Sequence, residues 1–229
     1  MNDPELFLPL AAAFVRGSLL DTPFSPSQPE LLQKPLGDLS EAEKRSLVRL
    51  GTEEGLKLHK FKRTMGLPRV TRVLGILRGL QPAGLLDIGS GRGAFLWPLL
   101  DAFPLLPVMA VDTLDFRVRD IQAVQRGGIE NLSAVRADVT ALPFPDHHFD
   151  VVTMLEVLEH VPDTGAALSE VCRVAQRAVV LSVPSKPDDN PEHIHLFDAA
   201  TLTSKLRTAG ANRVNISHVL NHMVVTATL

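Results

Sequence analysis

The chain has 229 residues, of which 45% are hydrophobic and 21% are charged, and its formal net charge is −3. This length is sufficient for one domain with a full α/β core and appendages. The weak negative charge gives no general argument for nucleic-acid binding. The single cysteine, Cys172, excludes an intrachain disulfide framework and a zinc site made of several cysteines. We therefore expect a globular protein of a reducing compartment, and we assign it to the cytoplasm.

The first 65 residues predict a helical extension. Their apolar run, Leu6–Val15, has an acidic flank and an internal proline, which favours a docked helix over a signal peptide or a membrane span. A Ser-x-x-Glu capping box at residues 40–43 predicts the start of a second helix. Four prolines mark a linker between the two helices: Pro23, Pro26, Pro29 and Pro35. We expect residues 1–65 to form an extension or lid on a domain at residues 66–229, with no membrane partner.

From residue 85 onward, short apolar runs alternate with helical patterns. The predicted strands are Leu85–Ile88, Val108–Val111, Leu132–Val135, Val151–Leu155, Val179–Val183, Val214–Ile216 and Met223–Ala227. Helical patterns lie at Phe116–Gln125, Ala166–Ala175 and Ala199–Ala209. This alternation predicts an α/β fold with a doubly wound, mainly parallel sheet that helices cover on both faces. Only Leu220 and Asn221 separate the last two strands, so these should form an antiparallel hairpin at the sheet edge.

The first of these strands runs into a loop with three alternating glycines: Gly89, Gly91 and Gly93. Glycines permit a tight turn and a close approach of the backbone to a ligand, and the next helix should offer unpaired N–H groups there. The pattern Gly-x-Gly-x-x-Ala, with Asp112 about 20 residues further on, fits a dinucleotide site. Asp87 before the glycines equally fits a site for S-adenosylmethionine (SAM). Because a carboxylate repels a pyrophosphate and attracts the ammonium and sulfonium groups of SAM, Asp87 favours SAM.

Four acidic residues lie at the carboxyl ends of predicted strands: Asp87, Asp112, Asp138 and Glu156. In an open α/β sheet, ligands bind at this edge. Asp112 can accept hydrogen bonds from both ribose hydroxyls. Asp138 can accept one from an adenine amine, or orient the N–H group of Val139 toward a ring nitrogen. Their common position predicts one binding site.

These segments together resemble the class I SAM-dependent methyltransferases, most closely the broad group that includes ubiquinone-type O-methyltransferases. The resemblance covers about residues 66–229. It rests on Asp87-Ile-Gly-Ser-Gly-Arg-Gly93, Val111-Asp112, Ala137-Asp138-Val139, the segment 142–152, and Glu156-Val-Leu-Glu-His160-Val. It implies a Rossmann-like fold of seven strands with an antiparallel last strand, and an acceptor bound over residues 156–160. The residues that it implies for SAM are Asp87, Gly89, Ser90, Gly91, Gly93, Asp112, Thr113, Asp138, Val139 and Leu155.

A second group of polar residues begins with Glu156-x-x-Glu159-His160, which places three side chains on one face if the turn is helical. A later loop with His193 and His195 could fold over that face. Carboxylates and imidazoles suit Mg²⁺, Mn²⁺, Fe²⁺ or Co²⁺. The set Glu156, Glu159, His160 and His195 more weakly resembles the metal site of small-RNA 3′-terminal 2′-O-methyltransferases. Three alternatives stay open: a divalent metal, a metal-free site with His160 as general base, or a structural network.

Residues 55–86 contain no acidic residue and seven basic ones: Lys57, Lys60, Lys62, Arg63, Arg69, Arg72 and Arg78. The second half also has helical apolar spacing and should pack on the sheet. The basic residues either form a solvated helix face, with an arginine near the SAM carboxylate, or bind an anionic acceptor such as a phosphorylated small molecule or RNA. Phe61 is the only aromatic residue among them, so base stacking has little support.

The sequence therefore predicts a SAM-dependent methyltransferase that acts on a small molecule at oxygen. The first alternative is a metal-dependent RNA 2′-O-methyltransferase. The second is a non-catalytic SAM-binding protein whose N-terminal segment binds a partner.

Overall fold

A computed structural model of the chain describes residues 6–20, 29–63, 66–187 and 189–229. These residues form one seven-stranded sheet. Its strands are β1 (Leu85–Ile88), β2 (Val108–Asp112), β3 (Leu132–Arg136), β4 (Phe149–Leu155), β5 (Ala175–Pro184), β6 (Arg213–Val219) and β7 (His222–Thr228). The spatial order is β3-β2-β1-β4-β5-β7-β6. Strands β1 to β5 pair in parallel, and β7 runs antiparallel to both β5 and β6. The predicted doubly wound sheet and its terminal hairpin are confirmed.

Helices cover both faces of this sheet. The described residues form α1 (Leu8–Leu19), α2 (Pro29–Gln33), α3 (Glu41–Glu53), α4 (Pro68–Leu80), α5 (Leu96–Ala102), α6 (Asp115–Arg126), α7 (Thr164–Val174) and α8 (Ala199–Thr208). Two apolar clusters fill the space between the helices and the sheet. Leu85 belongs to the cluster under α4, α5 and α6, and its neighbour Leu86 belongs to the cluster under α7 and α8. This alternation follows from the two-residue period of a strand that is buried on both faces.

The N-terminal helices pack on the first of these faces. Helix α1 lies against α6 so closely that a Cβ atom added to Gly17 would stand 1.9 Å from the carbonyl oxygen of Ala123. Helix α3 packs on α1 and begins at the predicted capping box of Ser40 and Glu43. Phe14 of α1 and Leu85 of β1 share one buried cluster. The extension therefore adds to the core of the domain, and its function as a lid stays a prediction.

The predicted linker at residues 23–36 is only partly described by the structure. Residues 21–28 lie outside the described ranges. The remainder is not extended, as a linker would be, because Pro29–Gln33 forms α2 and Leu36–Asp38 forms a 3₁₀ turn. Proline at the first position of a helix is compatible with helical geometry, so a proline-rich segment can still fold into short helices. Among the described residues, no helix combines the length and the apolar character that crossing a membrane requires.

Candidate cofactor and active site

Two adjoining cavities lie at the carboxyl ends of the parallel strands. The larger has a volume of about 430 Å³ and is bordered by β1, β2 and the segment after β3. The smaller, of about 130 Å³, lies beside α4 and the end of β4. Ile88 and Gly89 line both cavities, so the two form one elongated cleft across the glycine loop. The predicted acids divide between them, with Asp112 and Asp138 in the larger cavity and Asp87 and Glu156 in the smaller.

The glycine loop requires its glycines for packing as well as for backbone conformation. Gly89 has φ +70°, and an added Cβ atom would lie 2.3 Å from Cγ2 of Val157. Gly93 has φ +84°, and its Cβ atom would lie 2.1 Å from the indole ring of Trp97. The amide of Gly89 donates to the carbonyl of Val111 on β2 at 2.7 Å, which holds the loop over the sheet edge. The loop is therefore fixed in place before any ligand arrives.

Asp87 lies beneath this loop. It is 2% exposed, and its carboxylate accepts hydrogen bonds from Ser90 Oγ at 2.7 Å and from Thr153 Oγ1 at 2.8 Å. Burial raises the pKa of Asp87 to about 6, although these two hydrogen bonds act in the opposite direction. The carboxylate forms part of the wall of the smaller cavity. A cationic ligand group there would relieve the cost of burying its charge.

Asp112 connects the glycine loop to the larger cavity. Its Oδ2 atom accepts a hydrogen bond from the amide of Gly91 and its Oδ1 atom accepts one from the amide of Leu114, both at 2.9 Å. Each carboxylate oxygen can accept a further hydrogen bond. Thr113 lines the same cavity. A ligand with neighbouring hydroxyl groups, such as a ribose, would find two charged acceptors here.

Asp138 and Val139 lie at the far end of the larger cavity. Oδ1 of Asp138 accepts hydrogen bonds from the amide and the hydroxyl of Thr140, at 2.8 and 2.7 Å. These bonds lower the pKa of Asp138, so the exposed carboxylate is ionised at neutral pH. Val139 is buried and contributes an apolar wall. An ionised acceptor beside an apolar surface suits a heteroaromatic ring with an exocyclic amine.

Glu156 points in a direction that we did not predict. It follows β4 directly and has φ +56°, a left-handed conformation that costs free energy for residues other than glycine. Its carboxylate accepts from Ser182 Oγ at 2.6 Å and lies 3.0 Å from His222 Nε2 and 3.7 Å from Arg69 Nε. Leu155, the last residue of β4, lines the smaller cavity beside it. Glu156 is therefore directed toward β5, β7 and α4, away from the face that it was expected to share with Glu159.

Glu159 and His160 instead meet His193. One potential ligand atom from each of these three residues lies within 4.8 Å of the others. The later loop folds over this turn as expected, because the amides of Ile194 and His195 donate to the carbonyl of Glu159 at 3.0 and 3.2 Å. However, Nε2 of His195 lies 3.1 Å from the carbonyl of Val161. The structure thus groups Glu159 and His160 with His193, and it does not bring Glu156 or His195 into this group.

The local backbone explains why Glu156 does not join Glu159 and His160. Leu158–His160 forms a 3₁₀ turn, which begins after the left-handed residue Glu156. An i, i+3, i+4 pattern places side chains on one face only if the helical backbone is continuous. The reversal at Glu156 breaks this continuity. The shared face that we predicted is therefore wrong, although Glu159 and His160 do come together.

Sequence reasoning missed three partners of Glu156: Arg69, Ser182 and His222. His222 could have been found. Because β7 is antiparallel, its first residue lies at the sheet edge where the parallel strands end, and His222 pairs with Pro184 at the end of β5. The hairpin that the sequence predicts therefore already implied that His222 lies at this edge. Ser182 and Arg69 carried no comparable signal.

Comparisons with known proteins match this arrangement. Residues 86–183 match the family described as a methyltransferase domain. A malonyl-[acyl-carrier protein] O-methyltransferase of Methylococcus capsulatus is 32% identical over 96 residues, which are 42% of this chain and 34% of that protein. A demethylmenaquinone methyltransferase of Roseiflexus castenholzii is 34% identical over 120 residues, which are 49% of this chain and 48% of that protein. The chain thus spans between a third and a half of the length of these relatives.

Solved structures agree on the fold. A SAM-dependent methyltransferase from Aquifex aeolicus superposes with a TM-score of 0.59 and 23% identity, over 69% of this chain and 88% of that chain. The matched family segment, residues 86–183, contains nearly all of β1 to β5 and the whole glycine loop. Residues 86–183 thus match the methyltransferase-domain family, and the chain has the fold of SAM-dependent methyltransferases.

Proposed function

We propose that this chain binds SAM in the cleft and transfers its methyl group to the oxygen of a small-molecule acceptor. The observation that carries this proposal is the pair of buried acids on either side of the glycine loop. Asp112 borders the larger cavity, where its oxygens suit ribose hydroxyls, and Asp87 borders the smaller cavity, where its charge suits an ammonium group. A dinucleotide would place phosphates near Asp87, which the carboxylate disfavours. The cleft volume lies in the range of small-molecule sites.

Small-molecule chemistry has support from the names of the two relatives. One is called an O-methyltransferase of malonyl-[acyl-carrier protein], and the other a methyltransferase of demethylmenaquinone. We extend to this chain only what these names share, which is methyl transfer to a metabolite-derived group. Methylation at oxygen follows the first of the two names. The acceptor atom is the part of the proposal that an assay must establish.

When bound, SAM supplies an electrophilic methyl group on a positively charged sulfur. The protein must align the acceptor, accept its proton and exclude water. His160 is suited to the second task for an oxygen that lies where the two cavities meet, at Ile88 and Gly89, because its imidazole lines the larger cavity. Its Nδ1 atom lies 2.9 Å from the carbonyl of Glu192, which can only accept a hydrogen bond. In the neutral imidazole, Nδ1 therefore has the hydrogen and Nε2 keeps the lone pair that can take a proton.

Asparagine at position 112 should raise the dissociation constant for SAM about tenfold or more. The side-chain amide of Asp112→Asn has one oxygen and one NH₂ group, so it loses an acceptor, either for the loop amides or for the ribose hydroxyls. Hydrogen bonds to charged groups contribute about 1.5–3 kcal/mol. Isothermal titration calorimetry with SAM measures this effect. Asp115→Asn is the matched control, because Asp115 pairs with Arg119 on the exposed face of α6 and lines neither cavity.

The same titration distinguishes SAM from a dinucleotide as the ligand. Binding of NAD without binding of SAM by the unmodified protein would contradict the proposal. SAM binding without turnover on a broad panel of acceptors would favour the alternative of a non-catalytic SAM-binding protein. Equal SAM affinities of the two variants would show that Asp112 does not contact the cofactor.

A second candidate, a metal-dependent RNA 2′-O-methyltransferase, is favoured by the group of Glu159, His160 and His193. One carboxylate and two imidazoles form a donor set that suits Mn²⁺, Fe²⁺ or Co²⁺. These three residues would hold the metal, which would lower the pKa of a bound hydroxyl group. The candidate differs from our prediction in its ligands, since His193 replaces His195 and Glu156 is absent.

We expect that His193→Ala removes Mn²⁺ binding if this second candidate is correct, whereas His195→Ala retains it. The physical reason is that Nε2 of His195 already contacts a backbone carbonyl and lies outside the group. Titration of the purified protein with Mn²⁺, followed by electron paramagnetic resonance of the free ion, measures the bound fraction. Absence of Mn²⁺ binding to the unmodified protein, or equal loss in both variants, would eliminate the candidate.

A further inference from the structure

We propose that a groove between α4 and α5 binds the acceptor through an anionic group of the acceptor, either a carboxylate or a phosphate. The groove is a cavity of about 570 Å³, closed on its third side by the segment at residues 59–63. This inference rests on the proposed function, because it assigns the chemical class of the acceptor. We define the acceptor groove as this cavity between α4, α5 and residues 59–63.

The acceptor groove adjoins the cofactor cleft. Four residues line both the groove and the smaller cavity of the cleft: Leu67, Val70, Arg92 and Ala94. The smaller cavity also contains Asp87 and Glu156. A molecule that extends from the groove past Arg92 would therefore reach the end of the cleft that we assign to the methionine part of SAM.

The groove has a strong excess of positive charge. Among the described residues, five cations line it, namely Lys60, Lys62, Arg63, Arg78 and Arg92, against one carboxylate, that of Asp101. Asp101 pairs with Arg63 at 2.6 Å, and Lys60 pairs with Asp120, which lies outside the groove. Throughout the described ranges, no carboxylate lies within 4.0 Å of the charged nitrogens of the other three cations. Three cations thus face a concave surface without neutralisation, in a protein whose net charge is −3.

The remaining wall of the groove is apolar. Val70 and Leu74 of α4 face Trp97 and Pro98 of α5 across it. This combination of an apolar wall and cations suits a small molecule with an apolar body and an anionic group. It suits RNA poorly, because Trp97 is 2% exposed and offers no free ring face for base stacking. We therefore assign the groove to a small amphipathic anion.

Trp97 is the only tryptophan of the chain and lines the groove, so its fluorescence reports on binding there. Its Nε1 atom donates to the backbone carbonyl of Arg92 at 2.9 Å, which holds the indole beside this segment of the groove wall. We would titrate the full chain, saturated with SAM, with phenyl phosphate and separately with benzoate. The two probes share an aromatic body and differ in the anionic group, so they distinguish a phosphate acceptor from a carboxylate acceptor.

We expect at least one probe to bind and the charge variants to change its affinity in opposite directions. Arg78→Gln and Lys62→Gln should each raise the dissociation constant about fivefold, since each removes a cation of the groove that does not line the cofactor cleft. Asp101→Asn should lower it, because it removes the carboxylate of Asp101 from the groove and releases Arg63. Arg72→Gln is the matched control on α4, since Arg72 bonds to Ser217 of β6 outside the groove, and it should change nothing.

The outcomes separate this inference from the proposed function. If SAM binds but neither probe does, or if Arg72→Gln weakens a probe as much as Arg78→Gln, the acceptor groove is refuted and the proposed function stands. If SAM itself does not bind, the proposed function is refuted, and the inference that rests on it is refuted with it. A single-stranded RNA oligonucleotide that binds more tightly than both probes and is displaced by high salt would overturn the assignment to a small molecule.

Discussion

Replacing Asp87 by asparagine will stabilise the cofactor-free protein at neutral pH and weaken its binding of SAM. Asp87 is almost fully buried, and burial raises its pKa from 3.8 to about 6. Since one pKa unit corresponds to 1.36 kcal/mol, the buried charge costs up to about 3 kcal/mol of folding free energy above pH 6. The neutral amide of Asp87→Asn avoids this cost. The hydroxyls of Ser90 and Thr153 can donate instead to the carbonyls of Asp87 and Leu86, which lie 3.3 Å away.

The stability gain must depend on pH in one direction. Because the folded protein binds the Asp87 proton more tightly than the unfolded chain does, its stability falls as pH rises from about 4 to about 6 and is then constant with respect to this group. Below pH 4 the carboxyl group is neutral in both states and resembles the amide. The difference between Asp87→Asn and the unmodified protein should therefore be near zero at pH 4 and reach its maximum above pH 6.

Urea denaturation at a series of pH values measures this difference. Asp198→Asn serves as a control, because Asp198 is the exposed N-cap of α8 and asparagine is an equally good N-cap residue. It should not stabilise the protein at any pH, because hydrogen bonds from the amide and hydroxyl of Thr201 lower the pKa of Asp198, so folding favours this carboxylate where it penalises that of Asp87. Loss of stability in Asp87→Asn above pH 6 would show that the carboxylate is net stabilising without a ligand. Unchanged SAM affinity would show that Asp87 does not bind the ammonium group.

Alanine at Gly17 should destabilise the protein by about 2–4 kcal/mol. Its Cβ atom would lie 1.9 Å from the carbonyl oxygen of Ala123, and on the other side of the same contact a Cβ atom on Gly127 would lie 1.8 Å from the carbonyl oxygen of Ala13. Both obstacles are backbone atoms in helices, so α1 must move away from α6 as a unit. Overpacking of this kind typically costs about 1–3 kcal/mol, and displacement of a buried helix adds to it.

The control is the same substitution on an open helix surface. Gly75 lies within α4, and its added Cβ atom would meet nothing within 4 Å. Gly75→Ala should therefore stabilise the protein by up to about 1 kcal/mol through helix propensity. Denaturation midpoints of both variants test the pair of expectations. Equal and small effects would show that the α1–α6 contact yields without cost.

The predictions from sequence succeeded where a residue pattern repeats and failed where one backbone angle decides. Each of the seven predicted strands lies within an observed strand, because a strand that is buried on both faces of the sheet needs a short continuous apolar run. The conformation of Glu156 has no sequence signal, since glycine or asparagine is the usual residue at a positive φ. As a result, the carboxylate of Glu156 lies beside His222, and His193 is the third member of the group with Glu159 and His160.

Some positions in the candidate site could likewise be predicted from the sequence, and others could not. Asp112 and Asp138 could be placed from strand ends alone, because the carboxyl ends of parallel strands meet at one edge. The burial of Asp87 depends on Thr153, which lies on the neighbouring strand β4 and is 66 positions away in sequence. Contacts of this kind depend on the register between β1 and β4, which no local pattern contains. The acceptor groove likewise depends on how α4 lies beside α5.

The reversed direction of β7 has a consequence for how this fold can change its specificity. Where parallel strands end, side chains depend on the loops that follow, and these loops vary in length at little cost. His222 instead starts a strand after a two-residue turn, and the ladder with β5 fixes its position. Insertions in the neighbouring loops would therefore reshape the acceptor side while the contact of His222 with Glu156 stays in place. The position of this contact would thus stay constant while the loops around it change to fit different acceptors.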